Sequence, residues 1–371
     1  MEERYIATFM LHALADIIGF KNGDWEFNNA KKNITMDTTL EILYEFIGLG
    51  GINDIDISKW IVSDDTIMHT SLGHAILTSD DKYDKKMIDN IKNELIGAYS
   101  LITFDFENGI DRKIGYATKK YISLMMLKNI NASMMPYDKN TGGNGVAMRN
   151  SCIGLAYFGV DNRELLYTVA IESGRLTHNS PHGYLAGLTS ALFTAYAIEN
   201  IEIELWPHML VKVLESAEIS KFIKDDIDEK NDHDIFIQYW KKYIDLRFDD
   251  DKPITTRAQN NLVFRSRFHY ENFTINTVAK VIGESGFSAV IMAYDALLDA
   301  RDCWEKLIIY SALHFGDGDT VGAIAGSWYG ALYGFNNMPK KHLNQIEKMF
   351  KDITHMLGVE FYKKYYIKSS K

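Results

Sequence analysis

At 371 residues, with 46% hydrophobic and 24% charged side chains, the chain can bury a large core and does not have the composition of a disordered polymer. Forty basic residues against fifty acidic ones leave a net charge of -10, which disfavours non-specific binding to a nucleic-acid backbone. Cys152 and Cys303 are the only cysteines, so at most one internal disulfide can form and a reduced intracellular setting is the simpler expectation.

Met1-Glu2-Glu3-Arg4 lacks the basic start of a secretory leader, and the apolar run from Tyr5 to Phe20 is interrupted by His12 and Asp16; it is predicted as a buried first helix. No stretch reaches the roughly 18 uninterrupted apolar residues of a membrane span, so a cytoplasmic protein without membrane partners is expected. Ser63-Asp64-Asp65-Thr66 then precedes an apolar helix over Ile67 to Leu77. Met87, Ile91, Leu95 and Tyr99 repeat at helical spacing. Thr141-Gly142-Gly143-Asn144-Gly145 leads into a helical run predicted to start near Val146, and backbone amides freed by glycine beside a helix start suit a diphosphate. It is neither a P-loop nor a dinucleotide fingerprint, since no Gly-Lys-Ser/Thr follows and no strand precedes it; a plain turn is the competing interpretation.

Tyr184 to Ala197, dense in small residues, is predicted as a central packed helix, and Trp206-Pro207 opens another bearing Leu210, Val213, Leu214 and Ala217 on one face. The acidic stretch of residues 225–251, with Asp225 to Asp234 and Asp249-Asp250-Asp251, reads as solvated helix ends or a surface insertion. Phe264 to Phe273 is the best strand candidate, or else an irregular loop. Gly316-Asp317-Gly318-Asp319-Thr320 finally precedes an apolar run over Val321 to Tyr333. With five prolines and no linker, the expected architecture is all-α: one compact multi-helix domain over residues 1–371.

The two acidic steps carry the chemistry. Taken singly, Ser63 and Asp317 read as N-caps, with Asp64, Asp65 and Asp319 complementing the positive helix end. One cap needs one acceptor, however, and each step stacks two carboxylates beside a hydroxyl. Brought together, they would form a pocket whose repulsion a hard cation such as Mg²⁺ cancels. Zinc would want His or Cys, and His69 and His74 are five residues apart rather than the four of a zincin helix.

Several motifs, in order, resemble the ADP-ribosylglycohydrolase family, and most closely its ADP-ribosylarginine hydrolase branch, with dinitrogenase reductase-activating glycohydrolase a more distant relative. They are Asn22-Gly23-Asp24-Trp25-Glu26-Phe27, Trp60 through His69, the glycine loop through Arg149, Glu172 through His178, Ser190 through Ala197, Ala293-Tyr294-Asp295-Ala296 and Gly316 through Thr320. The resemblance implies two Mg²⁺ ions in a central cleft, held by Ser63, Asp64, Asp65, Asp317, Asp319 and Thr320. It implies a diphosphate on Gly142, Gly143, Asn144 and Gly145, and an adenosine end near Ser285, Gly286 and Phe287. The implied reaction is hydrolysis of the bond between ADP-ribose and a protein arginine, with Asp64 or Asp65 as the base and Glu26 as the second carboxylate. Its partners would be arginine-ADP-ribosylated proteins and the product ADP-ribose, its state a monomer. Cleavage of ADP-ribosyl-serine or another ADP-ribosyl bond, or a catalytically silent relative, are the alternatives. The chain departs from the family in Ala15-Asp16-Ile17-Ile18-Gly19, where relatives favour Gly-Asp-Ala-Leu-Gly. Two further departures are Thr320-Val321, where the arginine branch often has Ser and Thr, and Phe287-Ser288, which replaces a His-Asp pair.

Overall fold

Glycine recurs at every fourth position of the helix Gly318–Tyr333, at 318, 322, 326 and 330, and this spacing fixes how the centre of the molecule is built. In the computed structural model, which describes residues 1–28, 36–128, 135–256, 260–274 and 281–367, that glycine edge lies against the first helix, Glu2–Phe20. A Cβ on Gly326 would stand 2.4 Å from the Leu11 carbonyl oxygen, and one on Gly330 would stand 2.5 Å from the backbone of Ala7. The two helices therefore meet backbone to backbone, as only side-chain-free positions allow. Gly19, whose Cβ would lie 2.4 Å from the Gly318 oxygen, brings the end of the first helix onto the start of the other. The link from sequence to function runs through that contact, because Gly318 sits between Asp317 and Asp319.

The architecture is all-α. Among the described residues there are seventeen α-helices and one two-stranded ribbon, Phe248–Asp249 with Lys252–Pro253. The helix Pro181–Ile198 is buried along its whole length. Its Phe193 gathers Trp206, Trp240, Tyr294 and Trp328, with ring centroids 5.2, 5.6, 5.5 and 5.2 Å away. The Trp328 indole N–H donates to the Ser190 carbonyl at 3.1 Å, so the cluster buries ring area without stranding that donor. In the acidic stretch, Asp226 caps the helix Ile227–Arg247 by accepting from the Asp228 and Glu229 amides, while Phe236, Trp240 and Tyr243 of the same helix turn inward. Asp250 and Asp251, both with positive φ, make the turn of the ribbon.

Two local expectations are corrected. Residues 264–273 are neither strand nor loop but belong to the helix Leu262–Phe273. Its inward positions are Leu262, Arg265, Ser266, His269 and Phe273, at helical spacing. Three of those five are polar; Arg265 and His269 pair with Asp295, and Arg265 also pairs with Asp299. The period is helical, yet a hydrophobic pattern cannot show it. The helix expected from Val146 also starts later: residues 145–150 are turns, and the helix is Ser151–Ala156.

Candidate active site

The helix Asp64–Thr78 begins where Ser63 accepts the Asp65 amide at 3.1 Å, so the serine does cap the helix. Its hydroxyl in turn donates to Asp65 Oδ2 at 2.9 Å. Asp317 precedes the helix Gly318–Tyr333 without a side-chain cap bond of its own, and Asp319 accepts the Thr320 amide at 2.9 Å. Although 255 positions apart in sequence, the two steps meet: the Thr320 hydroxyl points at both oxygens of Asp65, 3.0 and 3.3 Å away.

Asp16, an acid in the buried part of the first helix, explains how they meet. Its carboxylate accepts the Ser63 amide at 3.1 and 3.2 Å, the Thr66 amide at 3.3 Å, and the Thr66 hydroxyl. The first helix thus caps the second one from outside, at the positive end of its dipole. The same helix abuts Gly318 through Gly19 and holds the glycine-loop residue Met148, whose carbonyl lies 2.8 Å from His12 Nε2. On the outer side, Asp64 donates its amide to the Arg112 carbonyl at 3.0 Å, and the Arg112 guanidinium grips Glu347 at 2.8 and 2.9 Å and the Val62 carbonyl at 2.9 Å. Three elements therefore converge on the segment carrying Asp64 and Asp65.

The steps floor a cavity of about 680 Å³. Glu26, Asp64, Asp65, Asp317, Asp319 and Thr320 line it, together with Gly143, Asn144 and Gly145 of the glycine loop. Glu26 is brought in by its neighbour Phe27, whose amide donates to the Gly316 carbonyl at 3.0 Å. Ser63 and Gly142 are not among the lining residues. Neither are Ser285, Gly286 and Phe287, which lie behind the glycine loop. The Gly286 amide donates to the Gly142 carbonyl at 2.9 Å, Ser285 pairs with Gly143, and the buried Phe287 ring stacks on Tyr239 at 4.1 Å.

Neither Asp16 nor His178 is among the site residues expected from the sequence, and the structure places both beside the site. For Asp16 the signal was legible, since an acid in a wholly buried apolar helix must be paired or ligating. His178 faces the glycine loop: a Cβ on Gly145 would lie 2.7 Å from its Cε1. Arg149 donates to the Thr177 hydroxyl oxygen at 2.9 Å, and that hydroxyl pairs with His178 Nδ1, 2.8 Å away, which fixes the ring against the loop. Burial, with Arg149 adding to it, pushes the pKa of His178 down to about 3.

Burial raises the pKa of every acid on the floor. Asp64, Asp65, Asp319 and Glu26 are held well above the usual carboxylate range, by burial first and then by one another and Asp317; Asp16 is raised to about 6. Asp16, Asp65 and Asp319 each offer an oxygen within 4.8 Å of the others'. An all-oxygen set of this charge fits a hard divalent cation and does not fit zinc. The nearby imidazoles are engaged elsewhere: His69 stacks on Phe9 and meets the Ser151 hydroxyl at 2.9 Å, and His74 meets Glu94 at 3.0 Å.

Acids whose folded pKa is raised take up protons on folding. The stability they contribute is fully present below their unfolded values near pH 4 and is lost as pH rises through the raised values. A divalent cation competes with those protons. Added Mg²⁺ is therefore expected to raise the melting temperature by roughly 5 °C at about pH 8 and by much less at about pH 5.5. Thermal denaturation at both pH values, with Mg²⁺ and with EDTA, checks this; an equal shift at both would refute it.

Known proteins can now be set beside this geometry. The family model for ADP-ribosylglycohydrolase matches residues 1–369. The chain is 37% identical over 352 residues to a protein of Acanthamoeba polyphaga mimivirus provisionally named an ADP-ribosyl glycohydrolase; the match covers 92% of this chain and 66%, just under two thirds, of the viral one. It is 33% identical over 387 residues to ADP-ribosylhydrolase ARH1 of Dictyostelium discoideum, covering 97% of this chain and 93% of that one. The solved structure of an ADP-ribosylglycohydrolase-related protein complex shares the fold, with a TM-score of 0.57 over 98% of each chain at 16% identity.

Proposed function

Because this chain belongs to the ADP-ribosylglycohydrolase family, we propose that it is a hydrolase cleaving the N-glycosidic bond between ADP-ribose and a protein arginine, with two Mg²⁺ ions in the acidic cleft. The observation that carries this reading is the meeting of the two acidic steps, Thr320 against Asp65 at 3.0 Å, on the floor of a cavity that also holds the glycine loop. The arginine linkage is supported by the motif resemblance and by the name of the Dictyostelium relative.

Asp65, Asp317 and Asp319 with Thr320 would hold the cations, with Asp64 at the rim. Bound divalent ions supply Lewis-acid charge, which cancels the clustered carboxylates and polarises sugar hydroxyls and water. Gly143 and Gly145 present backbone toward the diphosphate, with the His178 ring beside them. Asp64 or Asp65 accepts a proton from the attacking water, while Glu26, protonated by its surroundings, gives one to the departing guanidine nitrogen.

The test uses two peptides, ADP-ribosylated on arginine and on serine, with Mg²⁺ or EDTA, and measures free ADP-ribose. Release from the arginine peptide alone, abolished by EDTA, is expected. Release from the serine peptide instead would transfer the reading to that linkage, and no release from either would leave a silent relative.

A further inference from the structure

One side chain of the glycine loop does not face the cleft as a diphosphate ligand would. Asn144 Nδ2 donates to the Asp317 carboxylate at 2.8 Å and to the Gly283 carbonyl at 2.8 Å, so both of its amide protons are committed. Its backbone amide donates to the Glu284 carbonyl at 3.2 Å. Three segments distant in sequence, residues 142–145, 283–286 and 316–320, thus meet at this residue.

The 283 corner has no slack of its own. Gly283 has φ +85°, and a Cβ there would lie 3.0 Å from Asp317 Cβ and 3.0 Å from Val321 Cγ2. The Gly283 amide is held by Ser288 Oγ at 3.1 Å, and the Asp317 amide by the Ile282 carbonyl at 3.0 Å. Asp317 is therefore pinned at its backbone from one side and at its carboxylate by Asn144 from the other. A backbone that approaches this closely, at a φ that other residues rarely adopt, transmits displacement rather than absorbing it.

We propose that Asn144 is a positioning residue that orients the Asp317 carboxylate for the cation and ties it to the glycine loop, so that cation uptake and diphosphate binding depend on one another. This rests on the function proposed above and adds to it the connection between its two halves. Two binding events that bias the same element must raise each other's affinity by the same factor. A contact through Asn144 would contribute to that factor in addition to any direct contact between cation and sugar.

The experiment is calorimetric titration of the full chain with MgCl₂, in the absence and presence of ADP-ribose, for wild type and Asn144→Ala. Losing a hydrogen bond to a charged group is expected to weaken Mg²⁺ binding by about tenfold or more, and to shrink the factor by which ADP-ribose tightens Mg²⁺. Ser288→Ala, which removes the bond to the Gly283 amide without touching Asp317, serves as the control for general loosening and is expected to keep that factor. If Asn144→Ala melts at a lower temperature but binds Mg²⁺ with wild-type affinity and an unchanged factor, the residue is merely structural and the inference is overturned. If both variants shrink the factor equally, the effect belongs to the loop as a whole, which also overturns it. A wild-type chain that binds neither Mg²⁺ nor ADP-ribose would defeat the proposed function itself, a result distinct from either.

Discussion

Asp65→Asn is expected to lower ADP-ribose release by about a thousandfold or more and, with the opposite sign, to raise the melting temperature of the metal-free protein. Both effects come from one geometry. Asp65 joins the two steps, accepting the Ser63 hydroxyl on one side and the Thr320 hydroxyl on the other. An amide of the same shape keeps one acceptor oxygen for those hydroxyls but presents no charge to a cation. In the metal-free protein that charge is a burden. Its pKa is held well above the usual range by burial first, then by Asp16 and Asp317. Near pH 8 the folded protein must therefore keep this acid protonated against solvent, or bear the repulsion. Either course costs stability. Asparagine escapes this cost, so the gain should be largest near pH 8 and vanish toward pH 4, where the unfolded acid is also protonated. Release assays at saturating Mg²⁺, paired with melting curves in EDTA at both pH values, read the two effects separately. Wild-type turnover in this variant would remove Asp65 from the site, and a lower metal-free melting temperature would show that its hydrogen bonds outweigh its charge.

The helices legible in the sequence were those whose buried face is apolar. Tyr5 to Phe20 and Tyr184 to Ala197 lie within the buried helices Glu2–Phe20 and Pro181–Ile198, because an unbroken apolar or small-residue run leaves the chain few ways to hide its backbone. Residues 262–273 escaped notice because Arg265 and His269 face inward, and their burial depends on Asp295 and Asp299, thirty or so positions later in the chain. Burial by ion pairing has no local signature. The glycine loop misleads differently: three glycines read as the approach to a helix from Val146, yet turns continue to residue 150, where Asn144 spends its polar groups on Asp317 and Glu284 and Arg149 spends its own on the Gly145 carbonyl and the Thr177 hydroxyl. At the site, the convergence of the acidic steps could be argued from the surplus of carboxylates in each, since a cap needs one acceptor. Asp16 stood out as an acid in an apolar run, but what it holds did not, because its partners Ser63 and Thr66 lie nearly fifty residues away. Phe287 likewise looks like a ligand-facing aromatic until Tyr239 is seen to cover it.

Glu26→Gln is expected to lower turnover by about 10² to 10⁴-fold while leaving ADP-ribose affinity nearly unchanged. Glu26 is 6% exposed, and its Oε2 has no hydrogen-bond partner among the described residues. Burial, then Asp317 and Asp64, raise its pKa well above the ordinary value, with Lys113 opposing. A buried carboxyl beside other acids keeps its proton, and Glu26 lines the cleft into which it can deliver it. Glutamine reproduces the shape without the proton. Turnover of the wild type should fall as pH rises through the Glu26 pKa, since a general acid works only while protonated, and that alkaline limb should be missing in the variant. A substrate change separates this role from simple support of the site. With an ADP-ribosyl substrate whose leaving group departs as a stable anion, no proton is needed, and Glu26→Gln should approach wild-type turnover. Arginine-linked substrate should show the full deficit. An equal deficit on both would mean that Glu26 shapes the cleft rather than protonates the leaving nitrogen, and the acid would then have to be sought among Asp64 and the other raised carboxyls of the floor.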